Sequence, residues 1–299
     1  MLPSNVLMIR PSQFGLNSET ADDNIFQANS TSIPEKLNDK ALEEFEELRG
    51  KLDLAGINTT VFNQSDHCAS PDAVFPNNWI SFHDGKVILY PMYSEIRRTE
   101  RRMDVIQLIE KELDYTVDEI LNWSHYEENG LFLEGTGSLV IDRENKHIYS
   151  GISERSRIEL ISLWAKKMNY NYTSFHTELD GKPIYHTNVM MASGPEAIVV
   201  CTEVIRNKSE RIQLERQLAS SGKSIISISA EQVKNFAGNI IFLRGLRGRG
   251  FWVMSDRARE SLNDDQINEL EKSGRILSSP LPTIEKYGGG SARCMICEV

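Results

Sequence analysis

The stretch Tyr185-His-Thr-Asn188-Val-Met190 combines a polar tight turn with the start of an apolar strand, and this pattern returns along the chain. A second apolar strand and then an amphipathic helix follow the turn. The same order of elements follows Phe75-Pro-Asn-Asn78-Trp-Ile80, Leu133-Glu-Gly-Thr-Gly137-Ser-Leu-Val140 and Phe236-Ala-Gly-Asn239-Ile-Ile241. The spacings between Asn78, Gly137, Asn188 and Asn239 are 59, 51 and 51 residues. The sequence is therefore a weak repeat of a β-hairpin followed by a helix.

A fifth unit is divided between the two ends of the sequence. The turn Gly288-Gly-Gly-Ser-Ala292 ends 53 residues after Asn239, and a last strand is predicted to begin at Arg293. The missing strand and helix of this unit are predicted near the N-terminus. Since small units that repeat radially close into a ring, we predict an α/β fold, a five-bladed pseudo-fivefold propeller in one domain over residues 1–299. Periodicity alone leaves an ordinary α/β sandwich as the alternative.

Hydrophobic periodicity also places the individual elements. Short β-branched runs predict strands at residues 5–9, 58–62, 86–89, 139–142, 147–149, 197–202, 224–228, 239–243 and 251–254. Longer amphipathic segments predict helices at residues 40–54, 97–113, 154–168, 209–219 and 255–273.

The composition argues against several classes of function. Among 299 residues, 33 Lys and Arg against 43 Asp and Glu give a net charge of −10. A nucleic-acid binder normally carries a basic face, so we expect no nucleic-acid partner, although Arg244, Arg247 and Arg249 form a local basic cluster. No apolar run is long enough to span a membrane, and no secretory signal is visible. Because four cysteines make no disulfide framework, we expect a cytoplasmic protein without a membrane partner.

Three of the predicted turns carry residue types that work together in catalysis. Equivalent turns of a ring lie at the same end and converge on its axis, which would bring Cys294, His186 and Glu134 together. Such a set suits a thiol nucleophile, an imidazole that moves protons and a carboxylate that holds a substrate. The first turn adds Asp72 and Asn78.

Each of these residues also has a structural interpretation. Cys294 could be a small buried apolar residue, and His186 alone is more typical of a structural histidine. Cys297 completes a C-x-x-C motif of the kind found in redox and zinc proteins. A zinc site needs about four ligands, and no second C-x-x-C or histidine pair at ligand spacing is present in the sequence. On a strand, positions 294 and 297 point to opposite faces, which favours a structural role for Cys297.

Together these motifs resemble the guanidine-modifying superfamily, which contains arginine deiminases, dimethylarginine dimethylaminohydrolases and amidinotransferases on a five-bladed α/β propeller, the pentein fold. The resemblance runs the length of the chain and rests on Asp72-Ala-Val-Phe75-Pro-Asn-Asn78, Leu133-Glu134-Gly135, Gly151-Ile-Ser-Glu-Arg155-Ser, His186-Thr-Asn188 and Gly289-Gly290-Ser-Ala-Arg-Cys294. The N-terminal pattern Arg10-Pro-Ser-x-Phe14-x-x-Asn17-x-Glu19-Thr20 is similar to a bacterial branch of citrulline-utilisation hydrolases.

The resemblance implies a catalytic role for three residues. Cys294 would attack the central carbon of a guanidino or ureido group, and His186 would pass a proton to the leaving nitrogen and then activate water. Glu134 would bind guanidinium nitrogens. No metal or organic cofactor is implied, and the expected partner is a small arginine-like molecule. The sequence leaves the oligomeric state open, a homo-oligomer included.

The substrate-binding residues that the resemblance implies are Asn17, Asp72, Asn78, Arg97, Arg98 and Arg155. Arg155 corresponds to the arginine that holds the substrate α-carboxylate, and Arg97 or Arg98 corresponds to a second carboxylate site. The alternative for each arginine is a solvated residue at the start of a helix.

Asn78 departs from the family pattern, because the deiminases have a carboxylate at this position. A cationic guanidinium suits two carboxylates, whereas an amide both donates and accepts hydrogen bonds. A neutral ureido group needs a donor for its carbonyl oxygen and an acceptor for its N–H groups. The asparagine therefore favours citrulline over arginine, although Asp72 could supply the second charge.

Other functions stay open at this level. The same residues would serve an amidinotransferase, an arginine deiminase or a dimethylarginine dimethylaminohydrolase. A non-enzymatic, ribosome-associated propeller has no need of Cys294, His186 and Glu134 on converging turns. A redox protein would use Cys294 together with Cys297.

Overall fold

The computed structural model describes residues 5–21, 24–27, 36–113 and 115–299. Within these ranges the strands form five three-stranded sheets. Four of the sheets are continuous in sequence and share one topology. Their first two strands form an antiparallel hairpin, a helical segment follows, and the third strand returns parallel to the second. This is the order of elements that the repeat predicts.

The elements have the following bounds in chain order. The first unit contains β1 (Asn5–Arg10), α1 (Leu37–Leu54) and β2 (Asn58–Asn63). The next two contain β3 (Ile80–His83), β4 (Lys86–Leu89), α2 (Met103–Leu113), β5 (Glu119–Asn122), α3 (Gly135–Ser138), β6 (Val140–Asp142), β7 (His147–Ile152), α4 (Ile158–Met168) and β8 (Asn171–His176). The remaining elements are β9 (Met191–Ser193), β10 (Ala197–Val200), α5 (Lys208–Ser220), β11 (Ser224–Ser227), α6 (Ala230–Lys234), β12 (Ile241–Arg244), β13 (Gly250–Ser255), α7 (Asp256–Ser261), α8 (Asp264–Glu271), β14 (Arg275–Ser279), α9 (Pro282–Gly288) and β15 (Cys297–Glu298).

The fifth sheet joins the two ends of the sequence. Strand β15 pairs antiparallel with β1, and β1 pairs in parallel with β2, which follows α1. The backbone amide of Val299 donates to the carbonyl oxygen of Asn5 over 3.1 Å. The divided unit therefore closes the ring as the sequence predicts, and the fold is a five-bladed α/β propeller with pseudo-fivefold symmetry.

The core lies between neighbouring sheets and beneath the helices. Strand β10 is buried along its whole length, as is typical of strands with both faces covered. On α1, the residues that recur every three or four positions turn one apolar face inward; they are Leu37, Ala41, Phe45, Leu48 and Leu52. Because the sheets share their apolar contacts, the turns at their ends are held in fixed positions around the axis.

Several sequence predictions about elements are wrong. The segment 97–113 is not one helix, because Ile96–Glu100 forms a 3₁₀ turn and α2 begins only at Met103. The segment 255–273 is divided into α7 and α8, because Asn263 caps α8 and exchanges hydrogen bonds with Gln266 in a capping box. Residues 292–295 form a turn, so no strand begins at Arg293.

A membrane-spanning helix is not found, since none of the helices within the described residues combines sufficient length with sufficient apolar character.

Candidate active site

Turns from several blades meet around one small cavity. Its lining consists of Asn24, Asp72, Phe75, Asn78, Arg97, Arg155, Tyr185, His186, Gly288, Gly290 and Cys294. Cys294 lies on the turn between α9 and β15, and His186 directly precedes the 3₁₀ turn Thr187–Val189. The fold thus brings the predicted thiol and the predicted imidazole to the same cavity, although 108 positions separate them in sequence.

His186 is oriented by Glu134. Its Nε2 atom lies 2.7 Å from Oε2 of Glu134, and the backbone amide of Tyr93 donates to Oε1 over 3.0 Å. Burial alone would raise the pKa of Glu134, but Arg155 and the hydrogen bond from His186 outweigh burial and hold the pKa at about 2. The ionised carboxylate accepts from Nε2–H, which leaves Nδ1 as the basic atom of the ring. Burial lowers the pKa of His186, so the ring is neutral at pH 7 and able to accept a proton.

The structure places Glu134 behind His186 rather than at the cavity wall. Both carboxylate oxygens already accept hydrogen bonds from protein groups, Oε2 from the imidazole of His186 and Oε1 from the backbone amide of Tyr93. Gly137 has no side chain, and this leaves room for the side chains of Asn78 and His186. A Cβ atom at Gly137 would lie 2.5 Å from Nδ2 of Asn78 and 2.9 Å from Nδ1 of His186.

Two asparagine amides contact the sulfur of Cys294. Nδ2 of Asn239 lies 3.2 Å from Sγ, and Nδ2 of Asn188 lies 3.7 Å from it. Burial raises the pKa of the Cys294 thiol, and the hydrogen bond from Asn239 opposes this effect. In the sequence, Asn239 is recognisable only as an anchor of the repeat and Asn188 only as an anchor and as part of the His186 motif, so their contact with the thiol is not predicted. The signal that could have found them is their spacing, because equivalent positions in a ring converge.

Arg97 and Asn78 form one wall of the cavity. The guanidinium of Arg97 donates to Oε1 and Oε2 of Glu100 over 2.8 and 3.0 Å, and Nη1 donates to Oδ1 of Asn78 over 2.9 Å. Arg97 is 2% exposed, and Glu100 raises its pKa despite the opposing effect of burial. The alternative of a solvated arginine is therefore wrong for this residue. Glu100, which sequence analysis does not select, is the principal charge partner of Arg97.

Asp72 lies on the same side of the cavity and is held by Asn17. Nδ2 of Asn17 donates to Oδ2 of Asp72 over 2.8 Å, and Nε of Arg97 lies 3.8 Å from the same oxygen. The second oxygen, Oδ1, is buried and accepts no hydrogen bond from the described residues. Burial raises the pKa of Asp72, while Arg97 and Asn17 act in the opposite direction. Asn17 thus stands behind Asp72 and does not line the cavity itself.

The remaining two arginines differ in position. Arg155 is 2% exposed, precedes α4 and lines the cavity, with its guanidinium carbon 4.6 Å from the ring centre of Tyr185. The prediction that a helix begins at residue 154 is wrong, and Arg155 is not solvated. Arg98 does not reach the cavity, because its Nε donates to the carbonyl oxygen of Met92 and lies 3.4 Å from a carboxylate oxygen of Glu127.

Cys297 lies away from the cavity. Its sulfur is 3.4 Å from the carbonyl oxygen of Ile80, and it packs in an apolar cluster with residues of β1, β3 and β4. Burial raises the pKa of this thiol strongly. Cys294 and Cys297 are free thiols. Among the described residues, no group of three or more His, Cys, Asp and Glu side chains could hold a metal ion.

Solved structures share this fold. The N-terminal domain of ArgZ, an arginine dihydrolase from the ornithine–ammonia cycle in cyanobacteria, is 18% identical with a TM-score of 0.74, over 99% of this chain and 97% of that one. A dimethylarginine dimethylaminohydrolase variant, solved as an adduct with S-methyl-L-thiocitrulline, is 15% identical with a TM-score of 0.64 over the whole of both chains. AgrE is 18% identical with a TM-score of 0.76, over 99% of this chain and 39% of that one.

No curated protein sequence matches the chain significantly. A family model described as N,N dimethylarginine dimethylhydrolase, eukaryotic, matches residues 10–299, which is nearly the entire sequence. The chain is therefore an enzyme that belongs to the N,N dimethylarginine dimethylhydrolase family.

Proposed function

We propose that this enzyme hydrolyses the ureido group of an arginine-like amino acid, with citrulline as its substrate, through a covalent adduct on Cys294. The orientation of Asn78 carries the proposal. Because Arg97 donates to Oδ1 of Asn78, the Nδ2 atom is left as a buried donor without an acceptor among the described residues. Such a donor fits the carbonyl oxygen of a ureido group, whereas a guanidinium offers only N–H groups.

The charges around the cavity support a neutral reacting group. Two buried guanidinium groups, those of Arg97 and Arg155, already line the cavity. A cationic substrate group would lose its hydration beside them, and of the Asp72 carboxylate only Oδ1 is left to compensate that loss. Oδ1 of Asp72 supplies an acceptor for a ureido N–H group. Asn78 and Asp72 together match the donors and acceptors of a ureido group.

The chemistry follows from the positions of Cys294 and His186. As the thiol proton passes to Nδ1 of His186, Sγ attacks the ureido carbon, the C–N bond breaks and the leaving nitrogen takes the proton. Water, deprotonated by the same imidazole, then adds to the carbonyl carbon of the Cys294 adduct and releases the thiol. The resulting carbamate decomposes, so that citrulline and one water yield ornithine, ammonia and carbon dioxide. Glu134 holds the imidazole throughout and balances its positive charge.

Two further roles belong to this proposal. Arg155 holds the substrate α-carboxylate at the cavity wall, while Arg97 orients Asn78 rather than binding a second carboxylate. The mechanism also requires a reduced thiol at Cys294. We therefore place the enzyme in a reducing compartment, the cytoplasm.

A panel of substrates tests the proposal directly. Purified enzyme is incubated with citrulline, arginine or dimethylarginine, and ammonia, ornithine and citrulline are quantified. Citrulline should yield ornithine and ammonia in equal amounts without an added amine, which distinguishes hydrolysis from amidino transfer. Turnover of arginine without turnover of citrulline would contradict a ureido substrate.

Replacing Asn78 by aspartate tests whether the Nδ2 donor of Asn78 selects the substrate. Asn78→Asp exchanges the amide donor for a carboxylate, so the ratio of kcat/KM for arginine to that for citrulline should rise about 10–100-fold. Asn77→Asp is the matched control, because the Asn77 amide donates to Thr136, and it should leave the ratio unchanged. An equal ratio in wild type and Asn78→Asp would remove Asn78 from substrate selection.

Hydrolysis of arginine is the second candidate. Structural relatives include a protein described as an arginine dihydrolase and a variant described as covalently bound to a reaction intermediate. Asp72 lines the cavity and its Oδ1 has no partner among the described residues, so this carboxylate would accept a hydrogen bond from a guanidinium group. The substrate panel separates this candidate from citrulline hydrolysis.

A further inference from the structure

We propose that Asn239 and Asn188 are positioning residues that act as paired amide donors to the sulfur of Cys294 and stabilise its thiolate form. The two side chains come from equivalent turns of neighbouring blades, 51 residues apart. Both are buried. The proposal rests on Cys294 as the nucleophile of the proposed function but does not depend on which substrate is hydrolysed.

The neighbours of Asn239 identify its donor atom. Nδ2 of Asn239 lies 3.1 Å from the backbone oxygen of Asn188 and 3.3 Å from its Oδ1, in addition to 3.2 Å from Sγ of Cys294. Two of these three neighbours are oxygen atoms that can only accept, so the atom that faces the sulfur is the NH₂ group of the amide.

Asn239 also orients Asn188. Since Oδ1 of Asn188 accepts from Asn239, the NH₂ group of Asn188 is left to donate to Sγ over 3.7 Å, while Oδ1 lies 3.9 Å from Sγ and can accept from the thiol before it ionises. The two amides form a short chain in which each contributes one N–H group to the sulfur. This chain is fixed by the backbone as well, because the amide of Arg293 donates to the carbonyl oxygen of Asn239 over 3.4 Å.

The donors matter because the sulfur is buried. Desolvation disfavours a thiolate, and hydrogen bonds to the charged form offset that effect. Burial raises the pKa of Cys294, and the hydrogen bond from Asn239 is the largest opposing influence. Removing this donor should therefore reduce the thiolate fraction and slow every reaction of the sulfur with an electrophile.

The alkylation rate of Cys294 tests the proposal without any substrate. Iodoacetamide is added from pH 6 to pH 10, and modification of Cys294 is followed by mass spectrometry. In Asn239→Asp, a carboxylate replaces the donor and repels the thiolate, so the rate constant at pH 8 should fall about 10-fold or more and the pH profile should move to higher pH. Asn77→Asp introduces the same group on another axial turn, where Asn77 contacts Thr136 and not the sulfur. Once circular dichroism shows that this variant is folded, it should alkylate within about two-fold of wild type.

Two further variants are used if Asn239→Asp does not fold. Asn239→Ser and Asn188→Asp are then measured in the same way, with circular dichroism and thermal unfolding to show that they are folded. Alkylation of a folded Asn239 variant at the wild-type rate, or an equal slowing in Asn77→Asp, would overturn the proposal. Because no substrate is used, the alkylation result stands even if neither citrulline nor arginine is hydrolysed.

Discussion

Glu134 keeps its negative charge without exposed surface because protein groups surround it. Nη1 of Arg155 and Nη1 of Arg97 lie 3.7 and 3.9 Å from Oε2, and the same oxygen contacts His186 at 2.7 Å. The carboxylate therefore aligns the imidazole and compensates two buried guanidinium groups. Its ionisation therefore contributes to the stability of the fold.

Replacing Glu134 by glutamine should change how stability depends on acid. The pKa of Glu134 is about 2 in the folded protein and 4.5 in the unfolded chain, so its contribution is complete above pH 4.5 and is lost as pH falls towards 2. Urea unfolding at pH 6 and pH 3 measures this effect. Between these pH values the wild type should lose about 2 kcal/mol more than Glu134→Gln. At pH 7.5 the variant should also show a kcat about 10²–10⁴-fold lower.

Equal losses of stability in the two proteins would show that Glu134 is not ionised in the folded state. Glu119, an exposed carboxylate on β5 that pairs with Lys167, provides the control substitution Glu119→Gln. Because the pair of Glu119 with Lys167 is not buried, Glu119→Gln should lose about as much stability between pH 6 and pH 3 as the wild type does.

Single residues were predictable from sequence where chemistry limits the choice of side chain. Cys294, His186 and Asn78 could be selected because thiol, imidazole and amide groups have distinct uses. The partners of those groups could not be selected in the same way. Glu100 belongs to none of the motifs, and Asn239 is marked only by its position in the repeat, so the folded ring was needed to show that they contact Arg97 and Cys294.

Helix α3 is one turn long, and its glycines are required by the turns that pack against it. At Gly135, φ is +48° and a Cβ atom would lie 2.2 Å from the carbonyl oxygen of Asn77. At Gly137, a Cβ atom would meet Asn78 and His186. This element therefore sets the distance between the Asn78 amide and the His186 imidazole.

Replacing Gly137 by alanine should disturb that distance without preventing folding. The added methyl group must displace His186 or Asn78, and kcat/KM should fall about 10²-fold, because displacements near 1 Å have effects of this size. Steady-state kinetics and thermal unfolding measure the two consequences. Gly50→Ala is the matched control, since a Cβ atom there meets nothing within 4 Å. It should leave activity unchanged and stabilise α1 by about 0.5–1 kcal/mol. Wild-type kinetics in Gly137→Ala would show that the site tolerates this shift.

Helices and strands were predictable from sequence where their hydrophobic periodicity is strong. They were not predictable where a local cap sets the end of a helix or where a strand is very short. The apolar face of α1 is clear in the sequence, and its observed bounds differ only at the N-terminal end. The division between α7 and α8 depends on a cap at Asn263 inside a continuous apolar pattern. Strands of two or three residues, such as β15 and β9, are too short to show any alternation.

At the scale of the whole molecule, the small blades depend on one another. An isolated three-stranded sheet with one helix buries little apolar surface, and the apolar clusters here extend across adjacent blades. The repeat spacing made the ring predictable from sequence, because each blade keeps its own turn signal. The packing between blades, which determines stability, leaves no comparable pattern in the sequence.

We predict that residues 1–299 unfold as one domain. Differential scanning calorimetry should show a single transition, and core truncations in distant blades should move that same transition. Ile109→Ala in α2 and Leu218→Ala in α5 remove fully buried side chains and should each destabilise the protein by about 2–5 kcal/mol. Two separate peaks, each sensitive to only one of the substitutions, would show independent domains.

The pairing of β15 with β1 has a kinetic consequence. It joins residues from opposite ends of the sequence, such as Val6 and Glu298, and the entropy lost on closing so long a loop corresponds to about 5 kcal/mol. The hairpins of the four continuous blades close much shorter loops and are therefore expected to form first. Because Cys294 lies beside the last strand to join, nascent blades would assemble around an unfinished centre, and the nucleophile would reach its amide donors only in the final step of folding.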